Sequence, residues 1–410
     1  MLLALGFVLF LGAYFIPQQL KKPDDLVFSN DAYDYHHTAI HLARSGFYSL
    51  DGETPYLERE PGYSLYLALI YRVFGEGNRI AIYVFTGALY LLASLFFTME
   101  LRRKFPEGII VGVLAALLFF PSLFLALSLV YREVLTMALL LLFAGLFFRY
   151  EDSRKLWQAL LMAFLLGLIV LTYIPFLFLP ALLGGLFVAL RFPWKHAVLL
   201  VLIPLLFFGG WTMRNRLIEN GVVAGNQRMS GNIYMRAQKS AYLTPSGHFT
   251  CLYKEYVLRE FPPLCYTNSI LHELGGRIER GEITLKESTR QSKKLLLLHP
   301  GGFFLGSVAE VLEHHFPFFD GSTRYNVTAL IAYIFLYIGV LCGLREFWQR
   351  RFALFFVLSA YAIVIFALTD ATPRYHMPVL FCYIVLSVVG YHTLCSHFLS
   401  SYRRTMKRKA

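Results

Sequence analysis

The chain has 410 residues, of which 57% are hydrophobic and 16% charged, against about 25% charged in a typical soluble domain. With 38 Phe, 26 Tyr and a mean hydropathy of +0.54, this excludes both a soluble globule and a low-complexity disordered chain. The net charge of +12 does not point to nucleic acid, because in a membrane protein what matters is where the basic residues fall relative to the apolar segments.

A helix needs about 20 mostly apolar residues to cross hydrocarbon, where no water satisfies exposed backbone groups. Ten segments qualify in chain order: 2–20, 80–101, 109–127, 133–148, 156–172, 175–190, 197–211, 327–344, 352–368 and 378–395. The sequence therefore predicts an all-α polytopic membrane protein. The first segment resembles a signal peptide but lacks a basic n-region and a small-residue cleavage site, so it is expected to stay as an anchor.

With the N-terminus in the cytoplasm, the even-numbered spans end inside. They are followed by Arg102, Arg103 and Lys104, by Arg149, Arg154 and Lys155, by Arg191 and Lys195, and by Arg345, Arg350 and Arg351, with Arg403, Arg404, Lys407, Arg408 and Lys409 in the tail. The short outer turns after spans 3, 5 and 9 carry only Arg132 and Arg374. This asymmetry is the positive-inside pattern and places both termini in the cytoplasm, against the single contrary vote of Lys21 and Lys22.

Two long polar segments then fall outside, 21–79 and 212–326, dividing the chain into 1–211, 212–326 and 327–410. The first holds nine acids (Asp24, Asp25, Asp31, Asp34, Asp51, Glu53, Glu58, Glu60 and Glu76) and the second 14 basic residues. Helical spacing is expected over 31–45, and 62–74 is an apolar run too short to span, suited to the membrane interface. Residues 283–299 and 303–316 have the pattern of amphipathic surface helices. The five cysteines form no C-x-x-C pair, which gives no support to a zinc knuckle or a thioredoxin-type site. Cys251 and Cys265 share the second outer segment, where an oxidising compartment permits them to pair.

Four constellations at outer helix ends carry the chemistry. The first runs from Asn30 to His37, where Asp31 or Asn30 has an ordinary explanation as a helix cap. The second is Glu58-Arg59-Glu60-Pro61-Gly62-Tyr63, which is also a plausible turn sequence. The third is Trp211 to Arg216, where arginines also serve by snorkelling to headgroups. The fourth is Asp370 to Pro378, in which Arg374 lies outside against the charge bias and suits an anion better than a topology signal. The pair Arg132-Glu133 begins span 4 and is explicable as a local ion pair.

In their order and spacing these motifs resemble the GT-C glycosyltransferases, in the bacterial branch related to protein O-mannosyltransferases and to the aminoarabinose transferase of lipid A. The matching residues are Asp31, Tyr35, Ala39 and Gly46-Phe47 after the first span, then Pro61-Gly62-Tyr63-Ser64-Leu65 with Phe74-Gly75. They continue with Glu133 at the fourth span, Trp211 to Asn215 ending the seventh, and Arg374-Tyr375 with Pro378 before the last. Three departures stand out. Ala32 replaces a frequent second acid, so a second acid, if needed, is Asp34, Glu58 or Glu60. Tyr173 replaces a frequent arginine, and no soluble domain follows the tenth span.

The resemblance implies transfer of a sugar from a polyprenyl-phosphate donor to a lipid, protein or glycan acceptor, on the outer face of a bacterial inner membrane and with inversion. Asp31 is then the general base, since a hydroxyl nucleophile needs a proton acceptor within hydrogen-bond reach. Arg374 and Arg214 are the phosphate ligands, because guanidinium pairs its donors with phosphate oxygens. Tyr35, Arg59, Glu133, Asn215 and Tyr375 complete the candidate site. No cofactor is required. A divalent metal is not favoured, because Asp31, Asp34, His36 and His37 project in different directions from a helix. The alternative reading is a transporter or lipid flippase, a class that places ionisable residues at mid-membrane. Here they crowd at helix ends.

Overall fold

The structure is a computed structural model and describes residues 1–218, 290, 323–368 and 373–409. The ten expected apolar segments are all helical. Among the described residues seven helices are long and apolar enough to cross a membrane, and Leu156–Thr172, Ile174–Ala189 and Ala353–Ile365 are shorter apolar helices. The protein is an all-α polytopic membrane protein. The amphipathic segments 283–299 and 303–316 and the cysteines Cys251 and Cys265 lie outside the described residues; Cys342, Cys382 and Cys395 are free thiols.

Helix α1 (Leu2–Leu20) widens to a π-turn at Leu11–Phe15, where the Ile16 amide donates to the Leu11 carbonyl. Pro17 has no amide hydrogen and cannot continue the ordinary ladder, so the loosened turn sits just ahead of it. Helices α2 (Asp31–Ser45) and α3 (Gly62–Phe74) follow with the bounds expected from the sequence. They pack on one another through Ala32, Tyr35, Thr38 and Ala39 of α2. The Tyr35 and Tyr63 rings meet edge to face at 5.0 Å, and the Thr38 and Ser64 hydroxyls are 2.7 Å apart.

Then come α4 (Arg79–Leu101), α5 (Glu107–Ser128), α6 (Arg132–Ser153), α7 (Leu156–Thr172), α8 (Ile174–Ala189) and α9 (Trp194–Ile218). Helix α5 breaks at Phe120, whose extended backbone precedes Pro121, since a residue before proline avoids the helical region. Helices α7 and α8 are short because Pro175 and Pro180 interrupt the chain where one ends and the other begins. Helix α6 is the centre of the bundle, buried along almost its whole length, and packs on α4 and α7. Helix α9 continues past Trp211 to Ile218, so Arg214 and Asn215 stand on a helical end rather than in a loop; no glycine interrupts the pattern before Gly221.

The last three helices are α10 (Thr323–Gly343), α11 (Ala353–Leu368) and α12 (Leu380–Lys409), the last introduced by the 3₁₀ turn Pro373–Val379. Helices α10 and α12 run in close contact. A methyl at Gly390 would fall on the Gly339 carbonyl oxygen and 2.6 Å from the Gly343 amide nitrogen. Small residues let two helix backbones approach in this way in a membrane, where packing rather than hydrophobicity drives association. Gly390→Val is therefore expected to destabilise the protein by about 1–3 kcal/mol or more, read as a lowered unfolding midpoint in detergent, while Gly185→Val, where added atoms meet nothing within 4 Å, leaves the midpoint in place.

Candidate active site

The α1 to α2 connection, α3, and the adjoining ends of α4, α6, α7 and α9 meet at one end of the bundle. Asp31 is the first residue of α2, and Asn30 before it takes φ 50°, a left-handed backbone uncommon outside glycine and found at strained functional positions. Asn30 makes no side-chain capping bond. Asp31 and Asp34, one turn apart, share a face of α2.

Both carboxylates meet Arg59. Its Nη2 donates to Asp31 Oδ1 at 2.5 Å, its Nε to Asp34 Oδ2 at 2.6 Å and its Nη1 to the Tyr35 hydroxyl at 3.1 Å. The Tyr35 ring lies under the same guanidinium, 4.7 Å away. Arg59 is 2% exposed, whereas Asp31 is 19% and Asp34 14% exposed, so the cation is sealed in below and the acids face the opening. Tyr56 adds a hydroxyl to Asp34 Oδ2 at 3.0 Å. Burial works against the charge on Arg59, but Tyr35, Asp31, Asp34 and Tyr56 outweigh it and raise its pKa. Burial pushes the Tyr35 hydroxyl up to about 12, against the opposing pull of Arg132 and Arg59.

A second buried pair lies beside the first. Arg132 Nη1 donates to Glu60 Oε2 at 2.8 Å, and its guanidinium stacks over the Tyr173 ring at 4.1 Å. Arg132 thus reaches across to the first outer segment instead of forming only a local pair with Glu133. Tyr173, at the position where the resemblance expected an arginine, supplies an aromatic face to a neighbouring arginine instead. Glu133 is buried at the start of α6. Glu58 is half-buried.

The turn that presents Arg59 and Glu60 depends on Gly62. A Cβ there would lie 2.5 Å from Thr172 Oγ1 and 2.7 Å from the Leu171 carbonyl, so the backbone of α3 begins against the end of α7 with no room for a side chain. The Tyr48 hydroxyl, at 3.3 Å from the carbonyls of both Arg59 and Glu60, braces the same turn.

Arg214 stands at the side of this cluster. Its guanidinium lies 4.8 Å from the Trp211 ring and 5.6 Å from that of Tyr48. It donates to the carbonyls of Tyr56 at 3.0 Å and Tyr48 at 3.4 Å and to Asn215 Oδ1 at 2.9 Å. Among the described residues no carboxylate pairs with it. Tyr56 is the bridge, with its hydroxyl on Asp34 and its carbonyl on Arg214. Arg214, Trp211 and Tyr48 also line an open, mainly apolar cleft of about 610 Å³ whose walls include Leu65, Leu206 and Phe207. The side chains of Arg374 and Tyr375 lie outside the described residues.

His36 of α2 turns elsewhere: it stacks on Phe28 at 3.9 Å and its Nδ1 is 2.8 Å from the Tyr71 hydroxyl. Among the described residues, no group of three or more His, Cys, Asp or Glu is arranged to hold a metal. Glu100, buried at the far end of α4, pairs with Arg103 at 2.8 Å. Glu60 and Glu100, buried at the two ends of the bundle, are thus each held by an arginine.

No protein-family model and no curated protein matches the chain. Solved structures do match. The archaeal oligosaccharyltransferase AglB from Archaeoglobus fulgidus, in complex with an inhibitory peptide and a dolichol-phosphate, aligns with 99% of this chain and 52% of its own, at 15% identity and a TM-score of 0.50. The Archaeoglobus fulgidus oligosaccharyltransferase in complex with Zn and sulfate aligns with 98% and 51%, at 14% identity and a TM-score of 0.51. The chain has the GT-C fold. It spans about half the length of those oligosaccharyltransferase chains. ArnT from Cupriavidus metallidurans, bound to undecaprenyl phosphate, aligns with 92% of this chain and 77% of its own, at 13% identity and a TM-score of 0.40.

Within this GT-C fold the sequence singled out Asp31, Asp34, Arg59, Glu60, Tyr35, Arg214 and Asn215, and the first five form one contact network with Arg132. Tyr56, Tyr48 and Tyr173 were not assigned to the site by sequence; their only local signal is proximity to charged motifs and a helix end. Because Arg132 and Glu60 are buried together, Glu60→Gln leaves a cation without its counter-charge and is expected to cost about 3–5 kcal/mol. Thermal unfolding in detergent checks this against Glu76→Gln, which breaks the exposed Arg44–Glu76 pair and is expected to leave the midpoint within error, since exposed pairs contribute little.

Proposed function

We propose that the protein is an integral membrane glycosyltransferase that moves a sugar from a polyprenyl-phosphate donor to an acceptor hydroxyl at the extracytoplasmic face, with inversion. The observation that carries this reading is Arg214. A guanidinium that has no acidic partner among the described residues, at the mouth of an apolar cleft and one residue removed from a pair of aspartates, has the chemistry to hold the phosphate of a lipid-linked donor. The cleft offers its tail an apolar bed. The fold supports the same reading, since one structure that shares it was solved in complex with a dolichol-phosphate.

In the reaction, the acceptor oxygen attacks the anomeric carbon while its proton passes to a carboxylate, and the bond to the phosphate oxygen breaks with both electrons leaving on the phosphate. Asp31 suits the first role because it is the more exposed of the two aspartates and opens to the side where an acceptor enters. Arg214 suits the second, with Arg374 as a further phosphate ligand. The positive-inside asymmetry supports this end of the bundle being outside and both termini cytoplasmic, and the family resemblance suggests a bacterial inner membrane. The reaction as written needs no cofactor. The acceptor is a lipid, a protein or a glycan.

Mass spectrometry of envelope glycolipids and glycoproteins with and without the protein identifies the product, and transfer by variants then locates the base. Asp31→Asn keeps an acceptor oxygen for Arg59 but cannot take the proton, so transfer is expected to fall roughly a hundredfold or more while expression and donor binding survive. Near-normal transfer by Asp31→Asn with a dead Asp34→Asn would move the base one helical turn along. Full activity in both would remove the proposed site.

A further inference from the structure

The contacts of Arg59 carry a second conclusion. Two carboxylates one helical turn apart, opening on the same side, are a donor pair of the kind that holds a hard divalent cation through oxygen ligands at about 2.0–2.6 Å. In this protein the space between Asp31 and Asp34 is filled from within the chain. Arg59 spends Nη2 on one acid, Nε on the other and Nη1 on Tyr35, and its guanidinium lies deeper than either carboxylate. A metal bridging the same oxygens would lie against a buried positive charge, and Arg59 has nowhere to withdraw: its backbone is held by the Tyr48 hydroxyl and its turn by the close approach of Gly62 to α7. A metal bridging Asp31 Oδ1 and Asp34 Oδ2 does not fit while Arg59 holds both oxygens.

We propose that Arg59 is a built-in cation standing in the place of a divalent metal between Asp31 and Asp34, and that it positions the Asp31 carboxylate for proton transfer. The positioning role rests on the glycosyltransferase reading above, while the cation role does not. A guanidinium fixes both carboxylate orientations through separate nitrogens, which an ammonium, a point charge on a flexible stem, does not reproduce. Arg59 is a positioning residue, acting through Asp31.

The test is Mn²⁺ titration of the full-length protein purified in detergent, with free Mn²⁺ read by electron paramagnetic resonance. Wild type is expected to bind no more Mn²⁺ than the Asp31→Asn/Asp34→Asn double variant. Arg59→Ala removes the positive charge from between two acids and is expected to bind one Mn²⁺ at least about tenfold more tightly than wild type, an effect lost when Asp31→Asn is added. Arg59→Lys keeps a charge there and is expected to behave as wild type. One Mn²⁺ bound by wild type and lost in Asp31→Asn would overturn the proposal, as would a folded Arg59→Ala that binds no more than wild type. If Arg59→Ala does not fold, the comparison of wild type with the double variant decides. Transfer that is absent while the Mn²⁺ pattern holds would remove the glycosyltransferase reading and leave the built-in cation standing.

Discussion

A guanidinium with almost none of its surface in water must be neutralised where it sits, and the end of the bundle is organised around that requirement at Arg59. Removing an arginine from water costs several kcal/mol unless each donor finds a partner and an opposite charge lies close. Asp31, Asp34 and Tyr35 meet that demand from one helix face. They can do so only if α2 is held against the 58–60 turn, which in turn needs Gly62 against α7 and the Tyr48 hydroxyl on the turn's carbonyls. The site therefore exists as a consequence of packing between α2, α3 and α7, and a disturbance of any of these contacts reaches the acids.

Arg132 extends the same logic into the bundle. It is anchored by Glu60 from the outer segment and by the face of Tyr173 from the end of α7, joining the two halves of the site to the central helix α6. Arg214 differs from both arginines. Its bonds go to carbonyls and an amide oxygen, with no carboxylate paired to it among the described residues, and its stacking on Trp211 places its charge at the edge of an apolar cleft. Among the described residues, two of these three arginines are thus paired with carboxylates and the third is bonded only to neutral oxygens.

Much of this was legible in the sequence because a membrane imposes length and hydropathy on every span. Helices 31–45, 62–74 and 156–172 have the bounds their patterns indicated, and Asp31, Arg59 and Arg214 stood out as polar residues at helix ends. What could not be read was pairing. Arg59 and Glu60 are adjacent in sequence but point to different partners, and nothing in the order of residues says that Arg59 turns to α2 while Glu60 turns to Arg132. Tyr56 was invisible for the same reason, and Tyr173 stood out only as a departure from the expected arginine: an aromatic residue in a chain with 26 Tyr carries no signal of its partners until its neighbours across the fold are known. The extension of α9 to Ile218 was missed because the apolar count ends at Trp211, whereas the backbone ladder continues beyond the hydrocarbon wherever no breaker intervenes.

The central claim is that the cleft beside Arg214 receives a lipid phosphate next to the paired aspartates. A polyprenyl-phosphate analogue with a photoreactive group on its first isoprene unit, irradiated with the purified protein and mapped by peptide mass spectrometry, tests it most directly. Labelling is expected on the cleft walls at Leu206, Phe207 and Trp211, competed by unmodified polyprenyl phosphate and weakened in Arg214→Ala. Competable labelling confined to the opposite end of the bundle, near Glu100 and Arg149, would contradict the account.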